Sequence, residues 1–503
     1  MGLKKRVALS FARRVKKNLL KKASLAQETQ FKVLQNLINS GSKTLYGKDH
    51  GLTEEMGYEA FKAVIPARDY EAFRPYIEKV KANEADILWP GKPDYLCKTS
   101  GTTSGAKYIP LTKESLKTQI AAARNALLCY IAETGKVEFI DGKMIFLQGS
   151  PVLETLPSGM KFGRLSGIVA NYVPSYLQRN RMPSYETNCI EDWEEKVNAV
   201  ANETLREDMS LISGIPSWVQ MYYEELLRKT GKKTISEVFP NFSLFVYGGV
   251  NFEPYKERFK ELIGKDIPTI ELYPASEGFI AFQDSQQEKG MLLNIDAGMF
   301  FEFIPADEAS NESPTRLHLG EVELNKNYAL LISSNAGLWA YSIGDTIEFT
   351  ALNPPRIRVT GRIKHFTSAF GEHVIGKEVE MAMAEACQKH GASIREFHVA
   401  PQVNPIEGLP YHEWLIEFES IPKDKQAFIE SIEYSMRAQN VYYLDLINGK
   451  VLRELVISEL QPNSFESYMK SQGKLGGQNK VPRLSNDRKT ADALKQYLVK
   501  HKE

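Results

Sequence analysis

The sequence predicts an α/β protein with a large N-terminal domain, which combines α/β sheets with a β-barrel-like part, and a smaller, mobile α+β C-terminal domain. Three patterns predict this arrangement. Strand, loop and helix signals alternate around residues 242–273, strand signals follow one another over 291–360, and mixed helix and strand signals begin after residue 371. We therefore expect residues 1–365 to form the large domain and residues 366–503 to form the small one.

The beginning of the large domain is predicted to be helical. The first ~95 residues carry the spacing of charged amphipathic helices, and Pro90, Gly91 and Pro93 end that pattern. A long helix is then predicted over residues 113–134, with the Thr112 hydroxyl as its N-cap.

Short apolar runs predict the buried strands of the large domain. Residues 143–148, 242–247 and 268–273 are such runs, and the last two each end in a turn-rich loop. Ligands of α/β sheets bind at the loops that follow the strand ends, so these loops are candidate ligand loops. The later run over 291–360 predicts successive strands of a sheet or a distorted barrel.

Composition excludes several classes of protein. Lys plus Arg and Asp plus Glu each number 63 in 503 residues, so the overall charge does not favour a nucleic-acid partner. The cysteines are far apart and form no CxxC pair, which indicates reduced thiols in a cytoplasmic protein. No apolar run approaches the ~18 residues of a membrane span, and we expect no stable membrane association. The motifs HExxH, GxSxG and GxGxxG do not occur.

The N-terminal segment over residues 1–22 is strongly basic and has two interpretations. An apolar stripe on a helix is formed by Val7, Leu9, Phe11, Val15, Leu19 and Leu20. The segment is then either a membrane-surface helix or transit peptide, or a helix that docks on the protein and leaves its basic face in solvent. We favour the docking helix.

The segment over residues 98–112 has the composition of a triphosphate-binding loop. Gly101 and Gly105 allow successive backbone N–H groups to face one anion, and Lys107 supplies a positive charge. Further donors are the hydroxyls of Ser100, Thr102, Thr103 and Ser104. The spacing is not that of the common P-loop, because Tyr108 stands where Ser or Thr binds magnesium. Composition alone leaves a flexible Ser/Gly surface loop as an equal alternative.

The pattern Ser-Gly-Thr-Thr-x-Gly-x-Lys, from Ser100 to Lys107, resembles the signature loop of the adenylate-forming superfamily of acyl-CoA ligases and luciferases. Its continuation to Pro110 is more similar to the auxin-responsive (Gretchen Hagen) family of acyl-acid amido synthetases. Acyl-CoA ligases usually have Pro-Lys-Gly where this chain has Ala106-Lys107-Tyr108, which argues against a generic CoA ligase.

Further motifs resemble those of the superfamily in the same order along the chain. Gly248, Gly249 and Val250 match the loop that packs on adenine, although a Gly-Gly after a strand is usually only a turn. In the next motif the resemblance implies that Tyr273 stacks near adenine, Ser276 contacts the α-phosphate and Glu277 holds Mg²⁺. A carboxylate oxygen suits that cation, while a capping Ser followed by a first-turn Glu is the structural alternative.

The remaining motifs lie towards the C-terminus. The resemblance implies that Asp345 and Arg362 bind the ribose, that Lys364 lies at the interdomain pivot, and that Lys480 reaches the α-phosphate and the acyl carboxylate from a flexible loop. A mobile lysine suits the charge that develops at phosphorus. Taken alone, Gly-Asp is a turn dipeptide and Lys480 a solvated loop residue.

The resemblance implies an enzyme that uses ATP and Mg²⁺ to adenylate a carboxylic acid and then transfers the acyl group to an amine, which we expect to be an amino acid. Catalytic roles are implied for Lys480, Ser100, Thr103 and Glu277. Candidate walls of the acyl pocket are Trp218, Tyr222, Phe245 and Trp339, although core packing is favoured for each. The alternatives are an acyl-CoA ligase with the same first step and a nucleotide-binding protein without catalysis.

Overall fold

The computed structural model describes most of the chain. The described residues are 3–102, 105–172, 179–249, 252, 256–309, 311, 313–363, 366–367, 369–372, 374–472 and 483–499.

The described helices include the predicted helical N-terminus. Their bounds are α1 Leu3–Ala23, α2 Ala26–Gly41, α3 Leu45–Asp49, α4 Tyr58–Val64, α5 Tyr70–Lys81, α6 Lys113–Thr134, α7 Leu165–Ala170, α8 Tyr185–Asn188, α9 Trp193–Thr204, α10 Pro216–Thr230, α11 Ile235–Val238, α12 Lys256–Ile263, α13 Gly376–His390, α14 Lys425–Gln439, α15 Val441–Asn448, α16 Ser464–Ser471 and α17 Lys489–Leu494. Helix α6 has the predicted bounds, and the Thr112 hydroxyl caps it by accepting a 3.1 Å hydrogen bond from the Ser115 N–H.

The described strands form four sheets. Their bounds are β1 Tyr95–Thr102, β2 Gly105–Leu111, β3 Lys143–Phe146, β4 Glu154–Thr155, β5 Lys161–Gly163, β6 Arg181–Met182, β7 Met209–Ser213, β8 Leu244–Gly248, β9 Thr269–Ala275, β10 Gly278–Phe282, β11 Met291–Leu293, β12 Met299–Pro305, β13 Asn327–Ser334, β14 Tyr341–Leu352, β15 Pro355–Arg362, β16 Phe366–Thr367, β17 Val374–Ile375, β18 Ser393–Gln402, β19 Tyr411–Ser420 and β20 Val456–Glu459.

The largest sheet has eleven strands in the order β12-β13-β14-β15-β11-β10-β9-β8-β7-β3-β6. From β6 to β9 neighbouring strands are parallel, so their carboxyl ends lie along one edge. From β9 to β12 every pairing is antiparallel. The run over residues 291–360 was predicted to form a sheet or a distorted barrel. Its strands extend the parallel half of this one sheet, in an open strand order.

A second sheet has the order β2-β1-β5-β4. Strands β1 and β2 form an antiparallel hairpin, and β1 pairs in parallel with β5 through Leu96 opposite Phe162 and Cys97 opposite Gly163. This hairpin carries the predicted phosphate loop at its tip. The sheet thus sets the position of the loop relative to the rest of the large domain.

Helix α1 packs on the protein through one face. Ala12 is fully buried, and Leu9, Leu19 and Leu20 pack against the main core, while Val7 and Phe11 are exposed. This is the arrangement expected of the favoured docking helix. Among the helices that the structure describes, none is both long and apolar enough to cross a bilayer.

A three-stranded sheet in the order β18-β19-β20 forms the centre of the C-terminal part. The segment that enters it is held by Glu372, whose carboxylate accepts hydrogen bonds from the Phe370 N–H at 2.8 Å and from His412 Nε2 at 2.9 Å. His412 lies in β19, so residues 370–372 are tied to the C-terminal sheet. The boundary at residues 365 and 366 stays a prediction, and Lys364 lies outside the described residues.

The C-terminal part contacts the large domain through α15. The Tyr442 hydroxyl donates a 3.2 Å hydrogen bond to the Lys98 carbonyl oxygen of β1, and Asp445 forms an ion pair with Arg164. Lys450, just beyond α15, forms a further ion pair with Glu194. These contacts place the small domain beside the strand that leads into the phosphate loop.

Candidate functional site

The phosphate-loop hairpin is closed around its tip. Thr102 and Gly105 are paired across β1 and β2, and Thr99 pairs with Lys107. The Lys107 ammonium lies 5.7 Å from the centre of the Tyr70 ring, within range of a cation–π contact. The structure thus gives backbone positions for Ser100, Gly101, Thr102 and Gly105, while Thr103 and Ser104 at the tip lie outside the described residues.

The turn at Ser276 and Glu277 connects two strands of the large sheet. Strand β9 ends at Ala275 and β10 begins at Gly278, and these two residues are paired. A Cβ at Gly278 would lie 2.1 Å from Met299 Sδ, so a larger residue after the turn would require the buried Met299 side chain to move. The sequence alternative, a capping Ser at a helix start, is wrong, because a strand follows the turn.

A buried cysteine joins the hairpin to this turn. Cys97 Sγ donates a 3.1 Å hydrogen bond to Ser276 Oγ. Burial, reinforced by the nearby charge of Glu277, raises the pKa of the Cys97 thiol to about 12. The thiol therefore stays protonated at neutral pH and acts as the donor. The strand that leads into the phosphate loop is thereby fixed beside Ser276 and Glu277.

Tyr273 and Asp345 meet between β9 and β14. The Tyr273 hydroxyl donates a 2.5 Å hydrogen bond to Asp345 Oδ2, and both side chains are buried. Asp345 is paired with Arg362 across β14 and β15. The residues that the resemblance assigns to adenine and ribose are therefore neighbours in the fold, at positions that are far apart in sequence.

The glycines at the end of β8 are required by the local geometry. A Cβ at Gly248 would lie 2.4 Å from the Leu272 carbonyl oxygen, so the backbones of β8 and β9 approach closely there. Gly249 has a φ of +83°, which side-chain-bearing residues rarely adopt. Val250, the third residue of the predicted adenine loop, lies outside the described residues.

The structure brings together the phosphate-loop strand, the Ser276–Glu277 turn, and the pair of Tyr273 and Asp345. All lie at or near the edge where the parallel strands end, which is the usual ligand edge of an α/β sheet. Lys480 lies outside the described residues, and nothing is described of the Arg362 side chain. The roles assigned to individual residues stay predictions.

The predicted acyl-pocket walls divide into two groups. Trp339 is fully buried among aromatic rings of the N-terminal helices and donates a 3.2 Å hydrogen bond from Nε1 to the Leu88 carbonyl oxygen. Tyr222 and Phe245 are also fully buried, and the Tyr222 hydroxyl is 2.7 Å from Thr204 Oγ1. Core packing, the role favoured from the sequence, accounts for these three.

Trp218 differs from the other three candidates. It is half-buried near the carboxyl end of β7, and its ring lies 4.5 Å from that of Trp193. The indole Nε1 atoms of both tryptophans are buried, and neither has a hydrogen-bond partner in the described part of the chain. Such donors are normally paired, so this region has capacity for an acceptor.

Sequence reasoning missed two residues that hold the site together. Cys97 was identified only as a free thiol, and Tyr442 was not identified at all. The Tyr442 ring lies 5.6 Å from the Arg164 guanidinium, and burial raises the pKa of its hydroxyl to about 12. For Cys97 the only sequence signal was its position just before the loop, and for Tyr442 there was none.

The described residues contain no group of three or more His, Cys, Asp and Glu side chains that could hold a metal ion by themselves. A single carboxylate such as Glu277 is nevertheless the protein contribution expected for Mg²⁺ bound through nucleotide phosphates. The donor set therefore fits a metal that is bound through nucleotide phosphates rather than one enclosed by the protein.

Three family profiles match the chain in succession. The GH3 family N-terminal domain matches residues 15–268, the GH3 family central domain matches 292–362, and the GH3 family C-terminal domain matches 377–489.

One curated relative and two solved structures illustrate the similarity. The jasmonoyl-L-amino acid synthetase JAR4 of Nicotiana attenuata is 23% identical over 396 residues, which cover 64% of this chain and 66% of that relative, just under two thirds of its length. The acyl acid amido synthetase AtGH3.15 in complex with 2,4-DB has a TM-score of 0.62 at 17% identity. The match covers 97% of this chain and 96% of the AtGH3.15 chain. A 2-hydroxyisobutyryl-CoA ligase in complex with 2-HIB-AMP and CoA has a TM-score of 0.55 at 13% identity. That match covers 95% of this chain and 91% of the ligase chain. The predicted fold class is confirmed.

Proposed function

We propose a function from one premise: the chain belongs to the GH3 family, within the adenylate-forming superfamily. The proposed activity is that of an acyl-acid amido synthetase, which uses ATP to join a carboxylic acid to an amine. The structural neighbour AtGH3.15 is named an acyl acid amido synthetase, and the relative JAR4 is named a jasmonoyl-L-amino acid synthetase. The amine is therefore proposed to be an amino acid.

In the first step, a carboxylate oxygen of the acid attacks the α-phosphorus of ATP. A C–O–P anhydride forms, the bond to the β-phosphate breaks, and pyrophosphate leaves. The protein's contribution is positioning and the stabilisation of developing charge. Ser276 and the phosphate-loop backbone would hold the phosphates, Glu277 would hold Mg²⁺ on them, and Lys480 would neutralise charge at the α-phosphate.

In the second step, the amine nitrogen attacks the acyl carbon and AMP leaves, with the amine proton released to solvent or base. This step needs room for the nucleophile where Lys480 stood, so we expect the small domain to rotate near Lys364. We place both steps in the cytoplasm. The four cysteines, all free thiols, support a reducing compartment.

The observation that carries this proposal is the convergence of the nucleotide motifs. The contact between Cys97 and Ser276 holds the phosphate-loop strand against the turn that bears Glu277. The hydrogen bond between Tyr273 and Asp345 joins the predicted adenine and ribose sites. Motif loops that lay on separate surfaces of the protein could not bind one nucleotide together, and such an arrangement would argue against adenylation.

The test is acid-dependent exchange between ATP and pyrophosphate, screened over aromatic, fatty and amino acids. We expect exchange with at least one acid, followed by an amide product when an amino acid is added. Product formed only with CoA would favour the acyl-CoA ligase. Nucleotide binding without exchange would favour the non-catalytic protein.

Lys480→Ala should abolish exchange without changing the melting temperature. Lys489→Ala is the matched control, because its ammonium lies on the exposed surface of the same domain. Equal exchange in the two variants would overturn the role of Lys480.

A further inference from the structure

Lys196 is a buried cation without a matching anion. It lies in the first turns of α9 with 3% of its surface exposed. Its Nζ donates a weak 3.4 Å hydrogen bond to the Gln148 carbonyl oxygen and lies 5.8 Å from the centre of the Trp193 ring. No carboxylate of the described chain forms an ion pair with it. Burial of a charge without a counter-charge is costly, so such a lysine calls for an explanation.

Three neutral donors close to Lys196 also lack acceptors. Gln148 Nε2, Trp193 Nε1 and Trp218 Nε1 are buried, and within the described residues none of them has a hydrogen-bond partner. The Gln148 carbonyl oxygen and the Trp193 ring both contact Lys196, and the Trp218 ring lies 4.5 Å from the Trp193 ring at an interplanar angle of 46°. One positive charge and three N–H donors with no acceptor form a cluster suited to an anion.

Two acidic groups of this region are already paired with other cations. Asp445 forms an ion pair with Arg164, and Glu194 forms one with Lys450. Neither of these two carboxylates therefore serves as the counter-charge of Lys196. Burial lowers the pKa of Lys196, the positive charge of Arg164 lowers it further, and Cys189 acts in the opposite direction.

The cluster lies beside the proposed reaction site. Gln148 follows the carboxyl end of β3, and Trp218 follows that of β7, at the ligand edge of the sheet. Arg164 directly follows Gly163, which is paired with Cys97 in the strand that leads into the phosphate loop. Arg164, whose charge acts on Lys196, contacts Tyr442 and Asp445 of α15 in the small domain.

We propose that Lys196, with Gln148, Trp193 and Trp218, binds a substrate carboxylate that does not itself react. The proposal rests on the proposed function, because the carboxylate belongs either to the amino-acid acceptor or to a dicarboxylic acyl substrate. In both cases the carboxylate supplies the missing negative charge, and the Trp and Gln donors complete its hydrogen bonds. The residues would determine specificity without taking part in bond formation.

The experiment compares the wild-type enzyme with Lys196→Met, which keeps the bulk and removes the charge. Lys143→Met is the matched control, since Lys143 Nζ bonds to the Arg179 carbonyl oxygen near the surface. Each acceptor amino acid is paired with the amine that lacks its carboxylate. Each straight-chain dicarboxylate is paired with the monocarboxylate of equal length.

If the site holds the acceptor, Lys196→Met raises KM for the amino acid about tenfold or more and leaves the matched amine and the pyrophosphate exchange unchanged. If it holds the acid, exchange with the dicarboxylate falls by that factor and exchange with the monocarboxylate does not. Lys196→Arg should restore part of either loss. Equal kinetics of Lys196→Met and wild type across both series would overturn the proposal.

A binding measurement separates this proposal from the proposed function. If no acid supports exchange, the proposed function fails, and the same panels are then tested by thermal shift. Stabilisation of the wild type by amino acids or dicarboxylates, absent in Lys196→Met, would still support a carboxylate site. No stabilisation of either protein would overturn it.

Discussion

Cys97 Sγ lies 3.1 Å from Ser276 Oγ, although the two residues are 179 positions apart in the chain. This contact joins the hairpin of the phosphate loop to the large sheet at the turn before β10. The cysteine is fully buried and Ser276 is half-buried, so the contact fixes the strand that leads into the phosphate loop against the Ser276 turn from the protein interior.

The protonated state of this thiol can be tested by alkylation. Burial raises the pKa of both Cys97 and Cys129 to about 12, so little thiolate forms in the folded protein at pH 8. We expect iodoacetamide to label the half-buried Cys189 and Cys387 in the native protein, and Cys97 and Cys129 only after unfolding. Peptide mass spectrometry measures this. Native labelling of Cys97 as fast as that of Cys189 would contradict the buried contact.

The pair of Tyr273 and Asp345 predicts a selective loss of nucleotide affinity. Asp345→Asn keeps the shape of the side chain but removes the negative charge of the carboxylate that would accept hydrogen bonds from the ribose hydroxyls. We expect KM for ATP to rise about tenfold or more, with KM for the acid nearly unchanged. Exchange kinetics at varied ATP concentration measure both values.

Tyr273→Phe is the control for this prediction, because it removes the 2.5 Å hydrogen bond and keeps the ring. If the ring stacks on adenine, KM for ATP should change less in Tyr273→Phe than in Asp345→Asn. A larger effect of Tyr273→Phe would show that the hydroxyl, rather than the carboxylate, governs nucleotide binding.

A buried ion pair predicts a large loss of stability far from the site. Arg316 Nη2 lies 2.8 Å from Glu302 Oε1, and the two side chains are 6% and 0% exposed. Arg316→Met leaves an unpaired buried carboxylate and should lower the free energy of unfolding by about 3–5 kcal/mol. Urea unfolding measures the change.

The matched control is Arg358→Met, which breaks the pair of Arg358 with Glu348, where the arginine side chain is 66% exposed. Solvent screens that pair, so we expect a loss below about 1 kcal/mol. Similar losses in the two variants would mean that burial does not determine the strength of these pairs.

Local patterns in the sequence predicted the elements, because each depends on residues close together in the chain. Helix α6 and its Thr112 cap were predicted with their observed bounds, since capping and helical periodicity are local signals. The strands of the 291–360 run were also predicted. The sequence did not predict that these strands join the parallel strands in one open sheet, because pairing between distant strands leaves little trace in a single sequence.

The candidate site was predicted through motifs, and its supporting contacts were not. Ser276, Tyr273 and Asp345 were identified from motifs, but the pairing of Ser276 with Cys97 and of Asp345 with Tyr273 became known only from the fold. Lys196 shows the same limit. In the sequence it is one charged residue of an amphipathic helix, and its burial depends on Trp193 and Gln148 packing around it.

The unpaired charge of Lys196 predicts a stability that rises with pH. Burial lowers its pKa from the ordinary 10.5 to about 8, with a further decrease from Arg164 and a small opposing effect of Cys189. Below pH 8 the lysine is protonated in both the folded and the unfolded chain, and the folded state bears the full cost of the buried charge. Between about pH 8 and 10.5 the unfolded chain binds more protons than the folded one, so this contribution to stability increases with pH.

Lys196→Met removes that cost. At pH 7 we expect the variant to be more stable than the wild type by roughly 3 kcal/mol, and the difference should shrink as the pH approaches 10. Urea unfolding of both proteins at several pH values measures this. A variant that is less stable at pH 7 would mean that Lys196 has an anionic partner in the free protein. A gain in stability combined with a loss of substrate carboxylate recognition is the expected result for a residue retained for binding rather than for folding.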